Sequence, residues 1–420
     1  MSAFNKQVLN ANGKLTGRRI TESGAVVNTA DVARQIGAAI DPFAQMHVAE
    51  YSPIIELKSS YGTSILRDAI TTTNGGSVSW SDGEFIVSGE AAEDTVFFAT
   101  AERGRYLAGL VGLAGLGVRA IREPTAAGDS LRWGYFDSDQ GFGFGLDPNG
   151  LFTFTRRGGE DIQKRYRADW LNDKLDGNGP SGLKMEPPDG AVYRIPYIWY
   201  GYGTIAFDIL VRSEMGSGDT LVNVDRQDFP GSISIPDPNL PISVELSGDC
   251  SLAVGGRQYG IFGRYDPNRR IVSDFRGAVS INADGWTPLV SFRIKDPAPS
   301  GSAGYRSAAV KVAGAGVLST ENAVWALFYD ATLTGASFAT PDGHTAAETV
   351  TDYDKSATAM SGGECIYKGT VAGGQGNRSG AMDADLPDLD IPTGGVVTLA
   401  ARTFTGTGSA SGVLRDKQEW

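Results

Sequence analysis

The chain has 420 residues, of which 56 are glycine and only 20% are charged, and its formal net charge is −12. That balance excludes a protein built to grip a nucleic-acid backbone, which needs clustered Lys and Arg. No apolar run reaches the roughly 18–20 residues of a spanning helix, so no membrane insertion by helices is expected.

Residues 1–50 are polar and short of aromatics apart from Phe4 and Phe43. Within NTADVARQIGAAIDPF, Asn28 or Thr29 can cap one short helix, Val32, Ile36 and Ile40 recur every fourth residue, and Asp41-Pro42 stops it. Such a stripe cannot bury itself alone. The segment therefore reads either as an arm that packs on another surface, with Val32, Ile36 and Ile40 as assembly contacts, or as a lead-in to the following domain. The opening MSAFNKQVLNANGK carries no apolar leader core.

From residue 51 the signals are strand, turn, strand. SVSWSDGEFIVSG places Val78 and Trp80 before an Asp82-Gly83 turn and Phe85 and Val87 after it. Glycine and phenylalanine alternate in GFGFGLDPNGLFTFTRRGG, residues 141–159, on both sides of Asp147-Pro148-Asn149-Gly150. This is a hairpin rather than a phosphate loop, because the G-x-G-x-x-G spacing and the following helix are missing. Phe142, Phe144 and Leu146 share a parity that Phe152 and Phe154 continue, which predicts one common face. In YRIPYIWYGYGTIAFDILV the residues Tyr193, Ile195, Tyr197 and Trp199, then Ile205, Phe207 and Ile209, form another alternating aromatic face, read as core. Strand signals resume in TPLVSFRIKD after residue 286, and continue beyond the PAPSGSAG break. The expected organisation is an arm over 1–50, a main β-sandwich over 51–286 and a smaller β domain over 287–420. No repeat of 20–50 residues argues for a propeller or solenoid.

The residues offer little for catalysis. The two histidines, His47 and His344, lie in no recognisable nucleophile context, and no cysteine or histidine pairs have zinc spacing. A glycosidase needs two carboxylates about 5–10 Å apart, a separation set by the fold. The loop from Asp169 to Asn178 clusters Asp169, Asp173, Asp176 and Asn178 like a loose calcium site, but lacks EF-hand spacing. An Asx-rich turn whose side chains bond their own backbone is the simpler reading. Arg156, Arg157, Lys164, Arg165 and Arg167 form one basic patch, read as a solvated or ion-paired strand edge. Cys250 and Cys365 stand far apart, so a disulfide is unforced. The expectation is no enzyme, no cofactor and no metal.

Several strings then carry a likeness. LRWGYFDSDQGFGFGLDPNGLFTFTRRGG, RADWLNDKLDGNGPSG, YRIPYIWYGYGTIAFDIL, NAVWALFYDATLTGASF and SGGECIYKGTVAGG, in this order, resemble virion structural proteins of tailed bacteriophages that have relatives in large DNA viruses of algae. The likeness spans roughly residues 51–420, and Trp170, Asp173 to Gly177 and Gly179 to Gly182 fit its central motif, with Leu171 as an insertion after the tryptophan. It implies an all-β, jelly-roll or concanavalin-like β-sandwich in a repeated subunit of the tail, fibre, adaptor or outer head. That subunit would assemble in the host cytoplasm, pair with other virion proteins and form a homo-oligomer, with a trimer favoured. The competing expectation is a carbohydrate-binding module reading a host surface glycan, with Tyr200 and Tyr202 as contacts because their parity is opposite to the core set. A polysaccharide depolymerase stands third.

Overall fold

A computed structural model describes residues 51–212, 219–267, 269–295, 308–373, 391 and 395–419, together with the backbone of strands at 5–9, 15–20, 26–27 and 380–382. The first three of those strands form a small antiparallel sheet. Val32, Ile36, Ile40, His47 and the helix expected around them lie outside the described residues.

The protein is all-β, and two packed sandwiches account for most of it. In the first, a seven-stranded antiparallel sheet runs in the order Glu160–Tyr166, Gly150–Arg157, Gln140–Asp147, Ser130–Phe136, Ile242–Ser247, Thr95–Thr100, Asp68–Thr73. It faces an eight-stranded sheet ordered Asp219–Gln227, Ile205–Arg212, Ala191–Tyr197, Val111–Arg122, Ser251–Phe262, Glu84–Ser88, Ser77–Ser81, with Tyr51–Leu57 beside Ser251–Phe262. Sequential hairpins and long returns mix in both orders, as in jelly-roll and lectin-type sandwiches.

The alternating aromatics fill the space between the sheets. Trp133 meets Tyr193 edge-on at 5.0 Å between ring centroids, Phe144 meets Tyr193 at 4.9 Å and Phe207 at 5.3 Å, and Tyr135 stacks on Tyr259 at 4.9 Å. Rings in these offset and edge geometries add to what their burial contributes. At one end the Tyr135 and Tyr197 hydroxyls both donate to the Pro238 carbonyl, at 2.8 and 3.1 Å, which staples the 234–241 segment over the core.

The hairpin over 140–157 corrects one expectation. Asp147 pairs with Gly150, so every partner pair sums to an odd number: Leu146 faces Leu151 and Phe144 faces Thr153. Side-chain parity therefore flips across this two-residue turn. Phe142, Phe144 and Leu146 point into the sandwich core, whereas Phe152 and Phe154 pack with Phe136 on the outer face of the sheet. The alternating glycines make room there: a Cβ on Gly145 would overlap the Phe152 ring. Gly145→Ala is accordingly expected to cost about 1–3 kcal/mol as an overpacked site; an unchanged urea midpoint would show that the ring moves aside freely.

Arg270–Asn282, which precedes the boundary expected at residue 286, hydrogen-bonds along Thr407–Glu419 and so belongs to the second sandwich. Its four-stranded sheet is completed by Ala309–Ser319 and Gly380–Met382. The facing sheet runs Thr351–Asp354, Thr287–Ile294, Val396–Thr403, Ala323–Tyr329, Glu364–Val371. Trp325, Phe292, Leu399 and Leu414 are buried between them.

Candidate recognition face

The outer face of the seven-stranded sheet is where charge and aromatic groups converge. Phe136, Phe152 and Phe154 form an apolar layer there, and cations lie over it. The Arg132 guanidinium sits 4.9 Å from the Phe154 ring centre, Arg156 5.4 Å from that of Phe136, and Lys164 Nζ 3.9 Å from that of Phe152. Each cation is also held by a carboxylate. Arg132 donates twice to Asp161, at 2.7 and 2.9 Å, and Arg156 donates from both terminal nitrogens to Glu245 at 2.8 Å. Such two-pronged pairs fix the geometry of both partners. The bonds to Glu245 hold Arg156 above its ordinary pKa, against its burial.

Next to this layer is a cleft of about 710 Å³. It lies over the outward face of three neighbouring strands, where Thr71 and Glu245 flank Phe97 and Ser247 stands opposite Thr95, and Arg103, Arg105 and Asp137 also line it. Ala308 and Ile391 of the second sandwich complete the lining among the described residues. Asp137 is locked in place, accepting from the Asp139 and Gln140 amides at 3.0 and 2.9 Å and from Arg103 at 3.1 Å. Nearby, burial pushes the Asp237 carboxyl up to about 6, with the charge of Asp137 adding to the rise. None of the cleft residues was singled out from the sequence. One signal was present: Glu245 is the lone charge inside the otherwise core-like strand ISVELS.

The residues that were singled out are distributed elsewhere. Tyr200 and Tyr202 lie in the 198–204 loop, 53% and 71% exposed, and neither lines the cleft. Tyr200 holds φ at 94°, a conformation that disfavours any residue but glycine. Four members of the basic patch are ion-paired, Arg156 to Glu245, Lys164 to Asp147, Arg165 to Asp225 and Arg167 to Glu186, while Arg157 donates to the Ile233 carbonyl at 2.6 Å. In the Asp169–Asn178 loop, Asp173 accepts from the Leu175 and Ser181 amides at 2.8 and 2.7 Å, and Asp176 from the Asn178 amide at 2.8 Å. These are the backbone-bonding Asx side chains of the simpler reading. Gly179 is needed there because a Cβ would overlap the Asp173 carboxylate. Cys250 and Cys365 are free thiols in different sandwiches, and burial pushes that of Cys250 up to about 12. His344 sits in a loop within 3.2 Å of Arg270.

No family model matches the chain, and no curated protein sequence matches it. Solved structures similar to it include the CBM2 module of the evolved Dit of Lactobacillus casei BL23 phage J-1, 10% identical with a TM-score of 0.33, covering 52% of this chain and 99% of that one. The legume lectin-like domain from Entamoeba histolytica is 13% identical with a TM-score of 0.29, covering 46% of this chain and 89% of the other. An endo-1,3-beta-glucanase from Streptomyces sioyaensis is 9% identical with a TM-score of 0.33, covering 51% and 97%. Likenesses of this size assign no activity, and the fold rests on the strand order given above.

Proposed function

We propose that this chain is a structural subunit of a tailed-phage particle that acts by assembly and not by catalysis. The observation that carries this reading is where the residues behind the virion-protein resemblance are spent. Trp133, Tyr135, Phe142, Phe144, Tyr193 and Tyr197 are core rings, Trp170 packs edge-on against Phe144, and Asp173 closes its own loop through backbone amides. A signature consumed in rigidifying a sandwich is what a repeated building block requires, since a binding or catalytic signature would be spent on exposed groups. The arm of residues 1–50 docks on neighbouring virion proteins, and the subunit forms a homo-oligomer, a trimer by preference.

Deleting residues 1–45 is expected to leave both sandwiches folded, with an unchanged unfolding profile, while incorporation into particles falls to background. Normal incorporation of the truncated chain in a complementation assay would sink the docking role. Light scattering on both forms measures whether the oligomer needs the arm.

A second reading, a module that binds a host-surface carbohydrate, is favoured by the cleft itself. Its size falls within the range of about 300–1,000 Å³ in which small-molecule sites are built, and it combines one aromatic ring with a few fixed polar groups. The two readings are compatible in one particle protein.

A further inference from the structure

Resting on the carbohydrate reading, we infer that the cleft over the seven-stranded sheet takes an uncharged saccharide, with Phe97 as the stacking platform and Glu245 as the hydroxyl acceptor. The pairing register places Phe97 on the outer face, with Thr71 directly opposite on the neighbouring strand. Phe98, the next residue, points into the core and is fully buried. Phe97 itself is only partly buried, its ring braced edge-on by Phe136 at 6.1 Å. A flat apolar surface of this kind, ringed by hydroxyls, matches the C–H face of a pyranose.

Glu245 supplies the polar complement. Its two oxygens each accept one bond from Arg156, and its side chain is still 28% exposed at the cleft. A carboxylate has about four lone-pair positions, so two remain for ligand hydroxyls. Because Arg156 already fixes the rotamer, and Arg132 Nε stands 3.7 Å from the same carboxylate, little side-chain freedom is lost when a ligand binds.

Charge selects the class of sugar. The cleft carries two guanidiniums, Arg103 and Arg105, and two carboxylates, Asp137 and Glu245. Arg103 is paired with Asp137 and also donates to the Asn239 carbonyl at 3.1 Å, and Glu245 is paired with Arg156. A uronic or sialic acid entering here would lose its hydration shell next to the fixed carboxylates of Asp137 and Glu245, while Arg103 is already engaged by Asp137. A neutral sugar meets no such cost.

The test is binding of the purified full-length chain to a printed array of neutral and acidic bacterial oligosaccharides. Hits are quantified by calorimetry for the parent, Phe97→Ala, Thr71→Val, Glu245→Gln and Tyr202→Ala. The expected result is saturable binding confined to neutral glycans, weakened about tenfold by Phe97→Ala, the equivalent of one lost ring contact. Glu245→Gln should weaken it similarly and Tyr202→Ala should leave it unchanged. Thr71→Val, at an exposed position, changes the floor without touching the ion pairs and should also reduce affinity; unfolding midpoints serve as the control for each variant. Binding abolished by Tyr202→Ala and indifferent to the cleft variants would overturn the cleft while leaving the carbohydrate reading standing. Binding confined to acidic glycans would overturn the inferred class, and a silent array would overturn both the cleft and the reading on which it rests.

Discussion

Asp68→Ala is expected to destabilise the first sandwich by about 3–5 kcal/mol, the usual cost of stranding one member of a buried ion pair. The Asp68 and Arg257 side chains are 1% and 3% exposed and meet at 2.5 Å. Arg257 lies over the Phe98 ring at 4.5 Å and the Phe85 ring at 5.3 Å, with two of its nitrogens making no hydrogen bond among the described residues. Burial already holds its pKa below the ordinary arginine value. Without the carboxylate, that guanidinium keeps its desolvation penalty and loses the partner that offsets it. The same logic predicts the repair. Replacing both residues, Asp68→Ala with Arg257→Met, removes the charge along with its partner and should recover much of the loss, because a buried pair exchanged for apolar groups is often close to neutral. Urea unfolding followed by tryptophan fluorescence reads both variants. Equal midpoints for the single and double variants would mean that the arginine finds water or another acceptor, and the pair would then hold little of the fold together.

The second large effect is a pH dependence located in the other sandwich. Asp416 is fully buried, with Gln418 Nε2 within 3.1 and 3.2 Å of its two oxygens, and burial raises its pKa from 3.8 to about 7. The sign follows from linkage: the folded state holds the proton more tightly than the unfolded chain, so folding is favoured while the carboxyl is protonated. The stability tied to this group is complete below about pH 4, declines as pH rises toward 7 and is gone above that. At 1.36 kcal/mol for each pKa unit, the decline is on the order of 4 kcal/mol. Asp416→Asn keeps the shape and removes the titration. The variant should lose the slope between pH 4 and 7, and at pH 8 it should unfold at higher denaturant than the parent. Asp237, raised to about 6 in the first sandwich, adds a smaller slope of the same sign that persists in the variant. Parallel pH profiles for parent and variant would mean that Asp416 ionises without penalty, contrary to its burial.

Both effects come from buried carboxylates, and neither DAITTT nor VLRDKQE marks which of its charges will be buried. What could be read locally was read from period-2 alternation and turn chemistry. Tyr193, Ile195 and Tyr197 share one buried face, Asp82-Gly83 turns the hairpin from Ser81 to Glu84, and Asp173 and Asp176 of the 169–178 loop bond nearby backbone amides. These features depend on residues within a few positions of each other, and steric limits on backbone and side chain are the same wherever the segment sits.

By itself, then, the sequence determined the all-β class, the hairpins, the aromatic core of the first sandwich and the self-bonded loop. The two-residue turn at Pro148-Asn149 locally puts Phe152 and Phe154 on the opposite face from Phe142 and Phe144, and tertiary structure decided which of those two faces meets the core. It also decided that Arg270–Asn282 joins the second sandwich, through hydrogen bonds to a strand more than a hundred residues later. The cleft is of the same kind. Phe97, Arg103, Asp137 and Glu245 come together only when strands far apart in the chain are paired in one register, and that pairing is set by nonlocal hydrogen bonding and the burial of an entire sheet face.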